Sequence, residues 1–365
     1  MKRFLVVLFI CILPLSAWAK ANSGINQPME KAEDWVQVVE NSSFQLGVTE
    51  ERERNHGRFL ETAYGTYPSL DGSTVSVPMA REFARQHLNL QEAELDSFVR
   101  FSTTHDAYVN LIEKKPNVGA QLPFAGSVMA LDHPVDIFIG TEPSLEEWAL
   151  AEENDVKLIV TPICYDAFVF IVNERNPVES LTVNQIQAIY MGLVRYWEDA
   201  AEYEEMPEYL LDEDGESMLL SDWNEEDTEI RAYTRQRNSG SQTAMENLVM
   251  QGKPLAMKYM NYFQVFEMSS LVNHVGNFQN GANALGYTYL YYIDTLYRNA
   301  GIKTIAIDRV QPTNENIRSG EYPFSTCYYA VTREGENTAF VEWMISPEGQ
   351  KSIAQAGYIP YLEGV

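Results

Sequence analysis

The chain has 365 residues, 45% of them apolar and 12% aromatic, and 52 Asp and Glu stand against 26 Lys and Arg for a formal charge of -26. That apolar share builds packed cores and excludes a disordered acidic polymer, while the charge excludes a protein whose main business is coating nucleic acid or an anionic membrane. The length is that of two domains or one large one.

Lys2 and Arg3 precede the apolar run Phe4 to Leu15, and Ala17-Trp18-Ala19 follows. This is the layout of a secretory signal peptide, residues 1–19, cleaved after Ala19. The run is too short to span a bilayer, and no later stretch reaches about 18 uninterrupted apolar residues. The expected mature protein is soluble and periplasmic. Cys11 follows Ile10 rather than a small residue, which argues against a lipid anchor. Cleavage removes two positive charges, so 52 acidic residues face 24 basic ones and the charge becomes -28. Cys164 and Cys327 remain. An oxidising compartment permits a disulfide between them, and two buried strand cysteines are the alternative.

Residues 20–55 are polar and weakly periodic, an N-terminal arm. From Tyr67 onward, short apolar runs alternate with amphipathic stretches, the pattern of an α/β fold. PVDIFIG (Pro134 to Gly140), KLIVTPI (Lys157 to Ile163) and AFVFIV (Ala167 to Val172) read as strands of a sheet covered on both faces. Thr182 with Gln185 makes a capping box ahead of the stripe Val183, Ile186, Tyr190, and Gly192 stands where that helix stops. Ser346-Pro347 is a cap and first-turn proline for Glu348 to Ala356. Residues 198–228 hold 14 Asp and Glu and no Lys or Arg, an acidic insertion. Within it, Asp212, Asp214 and Gly215 match part of a calcium loop, but its first and twelfth positions fall on Leu210 and Ser221, which fails the pattern. No metal, cofactor or catalytic constellation is expected.

Three segments carry oxyanion chemistry. Arg235-Gln236-Arg237-Asn238-Ser239-Gly240-Ser241 leads into the stripe Met245, Leu248, Val249. A glycine and hydroxyls at a helix start leave backbone N–H groups unpaired at the positive end of the dipole, and an arginine clamps two oxygens at once. Asp71-Gly72-Ser73-Thr74-Val75 opens the stripe Met79, Phe83, Ala84, Leu88 in the same way, and Ser102-Thr103-Thr104-His105 precedes Ala107, Tyr108, Leu111, Ile112. His105 and Arg237 flank the proposed site as further charges.

These segments resemble the phosphate-binding proteins of ABC uptake systems, within the type II periplasmic binding proteins. The resemblance runs from about Tyr67 to Tyr361. Its carriers are Arg-x-x-x-Ser-Gly-Ser at Arg235 to Ser241, where the family has Arg-x-x-x-Ser-Gly-Thr, and DGSTVSVP at Asp71 to Pro78. LTVNQIQAIYMGLVRYW, LGYTYL, YPFSTCYYAV and SPEGQKSIAQAGYIP support it in the same order along the chain. It implies a two-lobed α/β fold with two hinge crossover strands: one lobe from 56–163 completed by 328–365, the other 164–327 carrying the insertion at 198–228. It places Ser73, Thr74, Val75 and Thr104 on one side of a phosphate and Arg235, Ser239, Gly240 and Ser241 on the other. The family's anion-facing Asp falls on Glu142, and Asp71 is a substitute acceptor for the proton of hydrogenphosphate. That acceptor matters because a carboxylate welcomes hydrogenphosphate and repels sulfate. The crossovers would bring Cys164 and Cys327 onto neighbouring strands.

The function implied is a monomeric, non-enzymatic periplasmic protein that captures inorganic phosphate between its lobes and passes it to an inner-membrane ABC permease. A binder or sensor of another oxyanion, sulfate-like or an organic phosphate, is the alternative. A phosphate-releasing hydrolase lacks its nucleophile, base and metal set in this sequence, and the acidic insertion is a candidate docking surface.

Overall fold

A computed structural model of the chain describes residues 67–362, apart from 125–126, 131–132, 203–228, 277–281 and 299. The expected signal peptide, the arm at 20–55 and all but the first five residues of the acidic run 198–228 lie outside the described residues.

The centre of the fold is a mixed sheet whose eight strands we label β1 (Leu70–Gly72), β2 (Ile137–Gly140), β3 (Leu158–Asn173), β4 (Arg231–Ala232), β5 (Ala284–Tyr289), β6 (Ile302–Thr304), β7 (Ser325–Arg333) and β8 (Ile359–Pro360). Their order is β1-β2-β7-β3-β5-β4, with β6 and β8 also bonded to β3. β1 with β2 and β5 with β4 are parallel pairs, and the remaining pairs are antiparallel.

The two runs read separately at Lys157 to Ile163 and Ala167 to Val172 are one strand. Cys164-Tyr165-Asp166 between them stays extended, so β3 is 16 residues long, where about 5–6 is usual. From Leu158 to Ala167 it pairs with β7, and from Phe168 to Val172 with β5. One continuous strand thus ties the part of the sheet holding β1 and β2 to the part holding β5 and β4. Asp166 to Asn173 are all buried, as a strand covered on both faces requires.

Pro162 lies at a break in register, because Tyr328 faces Cys164 while Tyr329 faces Pro162, leaving Ile163 as the extra residue. A proline has no N–H for a ladder, so a bulge is where a strand tolerates it. The same register decides the cysteines. Cys327 stands opposite Tyr165, and Tyr328 opposite Cys164. Directly opposed residues share a face and successive residues alternate, so the two sulfurs leave β3 and β7 on opposite faces. The strands are neighbours, as the crossover reading required, but Cys164 and Cys327 are free thiols rather than a disulfide. Cys164 is buried, and Cys327 Sγ meets Tyr361 Oη at 2.9 Å.

Five helices position the site: α1 (Val77–Leu88), α2 (Thr104–Ile112), α3 (Leu145–Glu153), α4 (Gly240–Ala244), which continues as a wider π turn over Met245–Met250, and α5 (Met268–Gly276). The stripes read from the sequence face inward: Met79, Phe83, Ala84 and Leu88 of α1 are buried, and so are Ala107, Tyr108, Leu111 and Ile112 of α2. Tyr108 stacks on Phe138 of β2 with ring centres 3.8 Å apart, a contact worth about 0.5–1.5 kcal/mol beyond its buried area, and this holds the start of α2 against the sheet. The Thr182 capping box forms, Gly192 takes φ 75°, and Ser346 caps the helix Pro347–Gln355.

Candidate functional site

One wall of the site grows out of the end of β1. A methyl group on Gly72 would stand 2.0 Å from the Ile139 carbonyl oxygen, so only glycine lets β1 close on β2 here. The Ser73 amide donates to Ile139 O at 3.0 Å, and the chain turns through Thr74–Ser76 into α1. Tyr358 donates its hydroxyl to Val75 O at 2.6 Å and fixes that turn from the C-terminal side. Asp71, fully buried, accepts from Ser102 N and Ser102 Oγ at 2.8 Å each, from Asn110 Nδ2 at 3.1 Å and from Gly72 N at 2.8 Å. Burial pushes its pKa up and these bonds pull it back. They tie the Thr74 loop to the segment entering α2, where Thr103 caps the helix and Thr104 is buried. They also occupy the carboxylate, so Asp71 serves the scaffold and is not the free proton acceptor weighed from the sequence.

The opposing wall centres on Arg235. Its amide is held by Gln242 Oε1 at 3.1 Å and by the Tyr287 hydroxyl oxygen at 2.9 Å. Its guanidinium donates Nε to Val265 O at 3.3 Å and Nη2 to Phe266 O at 2.7 Å. The residue is only 9% exposed, and among the described residues no carboxylate comes within ion-pair range of it. Burial lowers its pKa. A desolvated cation bonded to carbonyls, with the Glu267 charge acting on it only from beyond ion-pair range, lacks a directly paired counter-charge, which an anionic ligand supplies. Ser239 caps α4 by accepting from Gln242 N at 3.3 Å, and a hydroxyl used as an acceptor still has its proton to donate.

The walls enclose a cavity of about 370 Å³. Ser73, Thr74, Val75 and Thr104 line it from one side and Arg235, Ser239, Gly240 and Ser241 from the other, so eight of the nine ligand residues read from the sequence meet there. The walls touch at Gly240, where a methyl group would stand 2.4 Å from Thr141 Oγ1 and 3.3 Å from Thr104 Oγ1.

Glu142 is the ninth and does not line the cavity. Burial raises its pKa, and a hydrogen bond from Asn247 opposes that rise. The carboxyl thus meets the π turn after α4, not Arg235. His105 and Arg237 do line the cavity, but each has an acidic partner. His105 Nδ1 lies 3.0 Å from Glu147 Oε1, while Arg237 pairs with Glu146 of α3, to which Asn238 also donates. The first contact joins α2 to α3, and the other two join the loop before α4 to α3.

Sequence reasoning missed the part of the lining formed by Phe266, Glu267, Met268, Ser269, Thr288, Tyr289 and Tyr292, and the Gln242 and Tyr287 bonds that brace the Arg235 amide. The LGYTYL run was visible, but nothing in its spacing ties it to a residue some 50 positions earlier.

Residues 100–348, more than half the chain, match the family model of the PBP superfamily domain. The phosphate-binding protein PstS of Pseudomonas aeruginosa is 24% identical over 280 residues, covering 67% of this chain and 75% of that relative. Protein SphX of Synechocystis is 25% identical over 271 residues, with 68% and 72% covered. Among solved structures, a putative phosphate ABC transporter substrate-binding protein with bound phosphate from Clostridium perfringens aligns with a TM-score of 0.53 at 19% identity, covering 80% of this chain and 99% of that one. A phosphate transport receptor from Vibrio cholerae gives 0.51 at 19% identity, with the same coverage. With its α/β architecture and its paired crossover strands β3 and β7, the chain belongs to the PBP superfamily, in the two-lobed type II fold that the resemblance implied.

Proposed function

We propose that the protein captures phosphate in this cavity and delivers it to an ABC permease, without catalysing a reaction. The observation that carries the reading is Arg235, a buried guanidinium with no carboxylate in ion-pair contact among the described residues, lining the same cavity as Thr74, Thr104 and Ser239. Ser73, Val75, Gly240 and Ser241 complete the cradle with backbone amides and hydroxyls. The phosphate-binding protein PstS of Pseudomonas aeruginosa and the Clostridium perfringens structure with bound phosphate support phosphate as the ligand.

The division into lobes at 56–163 with 328–365, and 164–327, fits a hinge at β3 and β7, since Thr74 and Thr104 lie before β3 and Arg235 and Ser239 between β3 and β7. In this reading residues 1–19 direct export to the periplasm, where the protein works as a monomer. Among the described residues no helix is long and apolar enough to cross a membrane. Titration calorimetry of ligand-free protein tests the reading. Micromolar or tighter binding of phosphate, with sulfate at least about tenfold weaker, supports it. No heat with phosphate at millimolar concentration contradicts it.

A further inference from the structure

We propose that Glu146, which does not itself line the cavity, is a positioning residue for ligand retention: its carboxylate latches the loop that carries Arg235 and Ser239 to the opposite lobe and slows release of the bound anion. This rests on the reading that the cavity holds phosphate between two lobes hinged at β3 and β7.

The first observation is how one carboxylate is shared. Arg237 Nη2 pairs with Glu146 Oε1, and Asn238 Nδ2 donates to Glu146 Oε2, so two successive residues occupy both of its oxygens. In an extended strand successive side chains point to opposite sides. Here the Ser239 amide donates to Gln236 O at 3.2 Å and closes a turn, in which Asn238 takes φ 60°. Asparagine tolerates that left-handed conformation better than most residues, and the turn lets both side chains reach Glu146.

The second is where the contact lies in the chain. Glu146 stands in the first turn of α3, before β3, and so on the lobe that carries Thr74 and Thr104. Arg237 and Asn238 lie between Arg235 and Ser239, on the other lobe. Ion pairs such as Arg195–Glu229 and Lys303–Glu179 stay within one lobe, whereas Arg237–Glu146 crosses. Two residues beyond Asn238, Gly240 meets Thr141 and Thr104 of the first lobe. Parting the lobes therefore breaks the Glu146 contacts together with that packing.

The third is strength. The Arg237 side chain is 76% exposed and that of Glu146 42%, so water screens the pair and neither contact holds the fold together. Contacts made only while the lobes are closed act on opening, which sets release, and leave capture by the open protein unchanged. Losing both is expected to speed release by about 3- to 10-fold.

The test follows radiolabelled phosphate, bound to the full mature protein and then chased with unlabelled phosphate, alongside the association rate. Glu146→Ala is expected to release phosphate about 3- to 10-fold faster and Arg237→Met about 2- to 5-fold faster, each with association within about 2-fold of the wild type. Because Glu146→Ala already removes the partner, adding Arg237→Met to it should change release by less than about 2-fold. The exchange Glu146→Arg/Arg237→Glu should release phosphate more slowly than Glu146→Arg alone. Wild-type release from Glu146→Ala overturns the proposal. So do independent, multiplying effects of Glu146→Ala and Arg237→Met, which would mean that Glu146 serves only α3 and Arg237 meets the anion itself. Either result leaves the phosphate reading standing. If the wild type retains no phosphate, that reading falls and the proposal with it.

Discussion

Gly240→Ala places one methyl group where the two walls meet. The added carbon would stand 2.4 Å from Thr141 Oγ1 and 3.0 Å from Thr141 Cγ2, about 1 Å inside ordinary contact. Thr141 is only 3% exposed and its side chain is β-branched, so it has little room to turn aside. The walls must part, and overpacking of this kind costs about 1–3 kcal/mol, which corresponds to phosphate binding weakened by about 5- to 150-fold. The fold itself is not at risk, since alanine is the better helix former at the start of α4. Titration calorimetry with phosphate measures the loss, and the unfolding midpoint of the unliganded protein checks that the fold is kept. Thr141→Ala removes both clashing atoms, and Thr141 Oγ1 has no partner to lose. The double variant Gly240→Ala/Thr141→Ala is therefore expected to recover most of the affinity. Wild-type affinity in the single variant, or no recovery in the double one, refutes the closure geometry.

Glu142→Gln is expected to leave the preference for phosphate over sulfate within about 3-fold of the wild type, because the carboxyl faces Asn247 and not the cavity; loss of selectivity in competition binding would return Glu142 to the site. Asp166, buried on β3 and accepting from Ala167 N at 2.7 Å and Tyr291 N at 3.2 Å, has its pKa raised by burial from 3.8 to about 7, with the Tyr328 hydroxyl and these amides opposing the rise. Between those values the folded state holds a proton that the unfolded chain has lost, so this contribution is intact below about pH 4 and is lost as pH rises through 7. Urea midpoints at pH 5 and pH 8 should accordingly show Asp166→Asn losing less stability on that rise than the wild type, and parallel losses would contradict the assignment. Unfolded without reductant, the protein should have both Cys164 and Cys327 alkylated, and mass spectrometry finding them linked would show the strand register to be wrong.

Much of the cradle was legible because its signals are local. A glycine, hydroxyls and an arginine within seven residues at Arg235 to Ser241, or a glycine and two hydroxyls at Gly72 to Thr74, describe a helix start whatever surrounds it. The apolar stripes of α1 and α2 were readable for the same reason, since a helix repeats its face every three to four residues. What escaped depends on distant partners. Asp71 before Gly72 looks like a turn residue until Ser102 and Asn110 arrive from some 30 to 40 positions away. Thr288 and Phe266 join the cavity only through the pairing of β5 with β3 and of Thr234-Arg235 with Gln264-Val265. The cysteines failed for a finer reason. Their strands were placed correctly, but one residue of register chooses the face of every side chain.

The central claim is that Arg235 is the counter-charge for a bound phosphate. The direct measurement is phosphate affinity by calorimetry for the wild type and for Arg235→Met, which keeps an unbranched chain but removes the guanidinium. Removing one partner of a buried charge pair costs about 3–5 kcal/mol, so phosphate should bind at least about 100-fold more weakly, with the unliganded variant as stable as the wild type or more so. Arg235→Met binding phosphate as tightly as the wild type would contradict the account and move the ligand elsewhere in the fold.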